Sequence, residues 1–138
     1  MFINNSFGRT VDLLHRNMDV ALMRRDIISD NIANADTPNF KRSTLNFESA
    51  LKRAIQSEDV KAFPAAMTHE KHIPFHRVTD YRTVKPRKVL DYLSSTDNNG
   101  NNVDIEEEMM NALNNQLSYD LMTRVISNQF TQMGIVLR

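Results

Sequence analysis

Cysteine and tryptophan are absent from this 138-residue chain, and glycine (three) and proline (four) are scarce. Without cysteine there is no disulfide framework and no thiolate metal site, and the compartment stays open. So few glycines and prolines are unlike a turn-rich β-sandwich. Net charge is missing too. Seventeen Lys/Arg balance seventeen Asp/Glu, so bulk charge steers the chain toward neither nucleic acid nor an anionic membrane. No apolar run approaches the roughly 20 residues that span a bilayer, and the start MFINNSFGRTVDLLHR has no basic-then-apolar leader. The expectation is a soluble chain that stays in the cytoplasm or leaves without a cleaved signal peptide.

What is present is apolar patterning. From Phe7 the apolar residues recur at Val11, Leu14, Met18, Ala21, Ile28, Ile32 and Ala35 in steps of four and three, broken only by Arg25 and widened by Leu22. This is an amphipathic helix with heptad character, over about 5–36, with Ser6 as a candidate N-cap. Toward the other end Ile105, Met109, Ala112, Tyr119, Ile126, Phe130, Met133 and Leu137 repeat the alternation, and Met110, Leu113, Leu117, Leu121 and Val125 form a second row. A face this broad can meet more than one partner helix. Asp104 with Glu107 three residues on has the form of a capping box, and Glu106 to Glu108 suit a positive helix start. The second helix is expected over 104–138.

Between them the pattern decays. LNFESALKRAI (45–55) predicts a short helix with Phe47, Leu51 and Ile55 on one face. HRVTDYRTVK (76–85) predicts an extended piece, and SSTDNNGNN (94–102) a polar, flexible loop with no capacity to pack. The fold class is therefore mainly α: two long terminal amphipathic helices packed as a coiled-coil-like pair, with a short helix and an irregular or partly extended middle segment (37–103). A helix over residues 5–35 is about 46 Å long, whereas a compact sphere of this size is roughly 37 Å across. The chain reads as one elongated domain, 1–138, whose apolar faces find partners in other molecules. Charge is unevenly distributed: residues 61–93 hold seven Lys/Arg against three Asp/Glu, and residues 94–138 two against six. Such segments can pair within one subunit or between neighbours.

The first helix runs into NIANADTPNF (31–40) and stops. Pro38 has no N–H and disfavours helical Thr37. Asp36 and Thr37 compete for backbone bonds, and Asn39 tolerates a left-handed angle. Small Ala33 and Ala35, set among Asn31 and Asn34, permit a tightly packed corner.

This stretch, ISDNIANADTPNFKR, resembles the N-terminal signature of the flagellar axial proteins that build rod and hook. Ile27, Ile28 and Ser29 precede Asn31, Ile32, Ala33 and Asn34, then Thr37, Pro38, Asn39 and Phe40; Asn39 stands for the usual Gly and Phe40 for the usual Tyr. The flanks FKRSTLNFESALKRAI and NNVDIEEEMMNALNNQLSYDLMTRVISNQF are similar to those of proximal rod proteins of the FlgB type, and the neighbouring FlgC type is the alternative within the family. The resemblance implies a structural subunit of the basal-body rod, the torque-transmitting shaft of the periplasm, exported through the type III channel without a cleaved signal. It also implies homo- and hetero-oligomeric helical assembly, with other rod subunits, the basal-body adaptor protein, the membrane-embedded ring protein and the export apparatus as partners. Expected interface and signature residues are Ile28, Asn31, Ile32, Ala33, Asn34, Thr37, Pro38 and Phe40. The expected helix-packing stripe is Val11, Leu14, Met18, Met109, Leu113, Leu117, Ile126, Phe130 and Met133.

Other chemistries fit poorly. His69, His72 and His76 have ligand-like spacing, but Pro74 interrupts them and only Glu70 accompanies them. No phosphate loop, nucleophile elbow or His-Glu-x-x-His is present. Arg82, Lys85, Arg87 and Lys88 with Tyr81 and Tyr92 form a short basic cluster better suited to an acidic subunit than to nucleic acid. No catalytic residue, cofactor, metal, nucleic acid or small-molecule substrate is expected. From a different functional class, a soluble helical adaptor or chaperone-like binding module fits the same stripes; it would be stably folded alone.

Overall fold

In a computed structural model of the chain, residues 6–60, 66–73, 78–94 and 100–137 are described. In chain order the elements are α1 (Ser6–Ala33), β1 (Ser43–Asn46), α2 (Glu48–Asp59), a single 3-10 turn (Tyr81–Thr83), β2 (Arg87–Leu90) and α3 (Ile105–Val136). Where the sequence was read as one domain, the contacts divide the chain into two compact units: residues 1–45 with 88–138, and residues 46–87.

The first unit is an antiparallel pair of long helices, α1 of 28 residues and α3 of 32. Their register is fixed at three levels. Phe7 meets Phe130 edge to face, ring centroids 6.1 Å apart. The Asn115 amide donates to the carbonyl of Ala21 at 2.8 Å. Asn31 donates to Glu108 at 3.1 Å. Numbers rise along one helix as they fall along the other, so the two expected terminal helices do pack together. Asp104 begins α3 as expected: its carboxylate accepts the N–H groups of Glu106 and Glu107 at 2.9 and 3.3 Å. Glu106 to Glu108 then sit at the positive end of the helix dipole.

Ser6 is the first helical residue of α1. The helix stops at Ala33, and turns follow, with Asn34, Ala35, Thr37 and Phe40 donating to carbonyls three or four residues back. Asn39 takes a φ of 61°, the left-handed angle its side chain tolerates. The buried apolar residues of this unit are Val20, Ala21, Ile27, Ile28, Ala35 and Val103. β1 and β2 form a two-stranded ladder, continued by the Asp91 N–H donating to the carbonyl of Arg42 at 2.9 Å.

In the second unit α2 packs on the 3-10 turn. Its core is Phe47, Leu51, Ala54 and Tyr81. The helix starts three residues later than LNFESALKRAI suggested, because Ser43–Asn46 is strand. Thr79 is tied to α2 by its N–H donating to Ser57 Oγ at 3.0 Å, and Asp80 caps the turn through the Arg82 N–H at 2.9 Å. The extended piece expected at 76–85 is corrected: its described part, from Val78, is irregular apart from the turn, and the strand lies at Arg87–Leu90. Positions 76 and 77 lie outside the described residues.

Candidate assembly surface

The corner after α1 is closed from a distance. Asn101 is fully buried. Its amide nitrogen lies within hydrogen-bond distance of the carbonyls of Asn34, Ala35 and Thr37, at 3.1, 2.6 and 3.0 Å; the shortest bond goes to Ala35, whereas the carbonyls of Asn34 and Thr37 also accept the N–H groups of Thr37 and Phe40. Its oxygen accepts the Val103 N–H at 2.8 Å. Asn102 is buried too; it accepts the Arg42 N–H at 2.6 Å and donates to the Asp91 carbonyl at 2.8 Å. Lys41 Nζ donates to the carbonyl of Gly100 at 2.7 Å. Gly100 has a φ of +78°, and a Cβ there would lie 2.9 Å from Asn39 Oδ1, so a side chain at this position would be strained and would push Asn39 aside. The expectation that 94–102 cannot pack is thus corrected at its C-terminal end, where amides replace apolar groups as the packing elements. Positions 95–99 lie outside the described residues.

Beside the corner lies a buried polar cluster. Asn31 donates to the Ser43 carbonyl at 2.9 Å and accepts the Ser43 N–H at 3.0 Å, so one side chain pairs with a strand as a backbone would. The same Asn31 nitrogen reaches Glu108. The other Glu108 oxygen accepts Arg42 Nε at 2.7 Å, and Glu107 holds the end of the same guanidinium at 2.8 Å. Burial works against the Arg42 charge, but the hydrogen bond to Glu108 and the attraction of both glutamates outweigh it and hold the guanidinium above its ordinary range.

The signature residues divide. Ile28 and Asn31 are buried within the subunit; Ile32, Asn34 and Phe40 are half-buried; Ala33, Thr37 and Pro38 are exposed. Ile28, Ile32, Ala33 and Ala112 line a shallow groove of about 320 Å³. The stripe divides as well. Val11, Leu14, Met18, Ile126 and Met133 are half-buried, whereas Met109, Leu113, Leu117 and Phe130 are more than half exposed. The less exposed line of α3 is instead Glu108, Ala112, Asn115, Tyr119, Met122, Ile126, Gln129 and Met133. It keeps the four-three alternation but is rotated from the most apolar face. That face, with Ile105, Met109, Met110, Leu113, Leu117 and Leu121 each 40–63% exposed, meets solvent. Arg42, Ser43, Asn101, Asn102, Glu108 and Asn115 were missed as organising residues.

The sequence profile described as "Flagella basal body rod protein" matches residues 21–41, from mid-α1 through the corner. The chain is 46% identical to the flagellar basal body rod protein FlgB of Borreliella burgdorferi, over 97% of this chain and 99% of that protein. The chain belongs to the FlgB family of flagellar basal body rod proteins. It is 28% identical to the FlgB of Bacillus subtilis over 95% of both chains, and 30% identical to that of Escherichia coli over 88% of this chain and 87% of that one. This FlgB-family chain is a structural subunit of the basal-body rod, which favours that reading over a helical adaptor and over the FlgC type. Among its described residues no helix is long and apolar enough to cross a membrane. In this FlgB-family chain the matched segment contains the inward-turned Asn31 and the turns that Asn101 closes.

Proposed function

We propose that the chain is a proximal subunit of the periplasmic rod, exported by the type III route without a cleaved signal, and that it transmits torque through subunit contacts rather than performing chemistry. The observation that carries this reading is the exposed apolar face of α3. Six large apolar side chains in four turns form a surface that a monomer has no use for; apolar burial between chains is what it offers an assembly. Coiled-coil-like packing of the terminal helices with those of neighbours covers that face. The terminal helices gain further order on assembly. The groove at Ile28, Ile32, Ala33 and Ala112, with Phe40 and Pro38 at the corner, receives a neighbouring rod subunit, the basal-body adaptor protein or the membrane-embedded ring protein.

The test is a strain whose only copy carries Leu113→Asp and Leu117→Asp. Secreted subunit remains at native level, and basal bodies lack the rod. Normal rods would refute the assembly role of this face. Ile32→Asp tests the corner in the same assay, with the same expected outcome.

A further inference from the structure

The division into two units also divides the charge. Residues 46–87 carry eight Lys/Arg and five Asp/Glu, and the remaining residues carry nine and twelve. The units hold surpluses equal in size and opposite in sign. In the basic unit part of the surplus converges on one groove. It encloses about 510 Å³ and is lined by Arg53, Lys85 and Arg87 with Thr79, Thr83 and Asn46. No carboxylate lines it. Arg53 Nε donates to the Ser49 carbonyl at 3.3 Å, within α2. Lys85 and Arg87 are exposed and form no ion pair among the described residues. Three cations on one groove repel one another until an anionic surface covers them.

The acidic unit offers such a surface at the first turn of α3. Glu106 is exposed, and the Glu107 side chain remains 54% exposed while it holds Arg42. An open-ended rod needs contacts in which one surface meets a different surface of the next subunit. A basic groove and an acidic helix start satisfy that need, because neither is self-complementary.

We propose that the groove at Arg53, Lys85 and Arg87 receives the acidic first turn of α3 from a second copy of this chain. This rests on the rod-subunit reading. The charges set register between copies and make the contact sensitive to salt.

The chain has no cysteine, so introduced thiols report one contact cleanly. Two full-length chains are co-expressed in a strain lacking the native one, Lys85→Cys in the first and Glu106→Cys in the second, and basal bodies are purified and oxidised. The expected result is a disulfide-linked dimer that neither chain gives alone. A bond that forms only when both cysteines lie in one chain would overturn the inference, as would rods of native composition with no bond at all. In parallel, Lys85→Glu with Arg87→Glu is expected to reduce incorporation at least tenfold, and Glu106→Lys in the same chain to restore most of it. Unrestored incorporation also counts against the proposal. Absence of the unsubstituted chain from basal bodies is a separate result: it refutes the rod reading and removes the inference with it.

Discussion

The two faces of α3 reverse the usual arrangement of a helix in water. The face toward α1 carries a buried glutamate and a buried asparagine, Glu108 and Asn115, among Ala112, Tyr119 and Met122, whereas the outward face carries Leu113, Leu117 and Leu121 exposed. Polar groups inside specify one register, because each meets directional partners at fixed positions: Arg42 and Asn31 for Glu108, and the Ala21 carbonyl for Asn115. Apolar groups outside specify nothing alone and gain only by being covered. The subunit's own pairing is therefore set by directional bonds, and its appetite for neighbours by area.

The sharpest way to break this contrast is Glu108→Ala. It leaves Arg42, whose side chain is 17% exposed, short of its main counter-charge, and the expected loss is about 3–5 kcal/mol of unfolding free energy. Urea titration followed by helical circular dichroism measures it. The pair Glu108→Leu with Arg42→Met should lose less, about 1–3 kcal/mol, since it strands no charge and leaves only the Asn31 N–H without its acceptor. If both variants lose equally, the site is a packing position and the charges are incidental. Asn115→Ala is milder. It deletes one buried hydrogen bond to a carbonyl already inside a helix, at about 1 kcal/mol. On the other face Leu117→Asp should leave the monomer within about 0.5 kcal/mol of native stability while blocking assembly. A large loss of monomer stability there would erase the distinction between the faces.

The smallest effect lies on neither face. Asp91 accepts the Ser94 hydroxyl at 2.5 Å and the Leu93 and Ser94 N–H groups, and these bonds, the Ser94 hydroxyl first, hold its carboxyl below 3.8. A lowered carboxylate pKa favours the folded state above the unfolded value, and that contribution disappears as pH falls through the folded one. Ser94→Ala should move the carboxyl back toward 3.8 in an NMR titration, with no change in either helix face.

Local signals in the sequence were legible. Pro38 and the residues around it mark the end of α1, Asp104 caps α3, and the left-handed tolerance of Asn39 is used. What stayed hidden was long-range. Asparagines in SSTDNNGNN look solvated because nothing nearby shows that Asn101 will find three carbonyls more than sixty residues back. Glu108 sits in a run of three glutamates that the helix dipole already explains, so its pairing with Arg42 left no separate mark. Part of the expected α3 stripe, Met109, Leu113, Leu117 and Phe130, faces outward for a related reason, while Ile126 and Met133 lie on the inner line. Apolar periodicity finds the most apolar face, and here that face is turned outward, while the inner line is interrupted by Glu108, Asn115 and Gln129.

The Asn101 amide also sets an order of events in folding. A helix usually ends on its own neighbours, within a handful of residues, as soon as the chain is made. Here the carbonyl of Ala35 waits for a partner 66 positions later. Closing a loop of that length costs about 3.7 kcal/mol in chain entropy, against about 1.4 kcal/mol for a five-residue closure. Until that cost is met, the end of α1 has only its local turns and the Asn31–Ser43 pairing to hold it. The corner is therefore among the last parts to set, and it sets only once the beginning of α3 has arrived. The contact works as a delay: the N-terminal half cannot become rigid before the C-terminal half has been delivered.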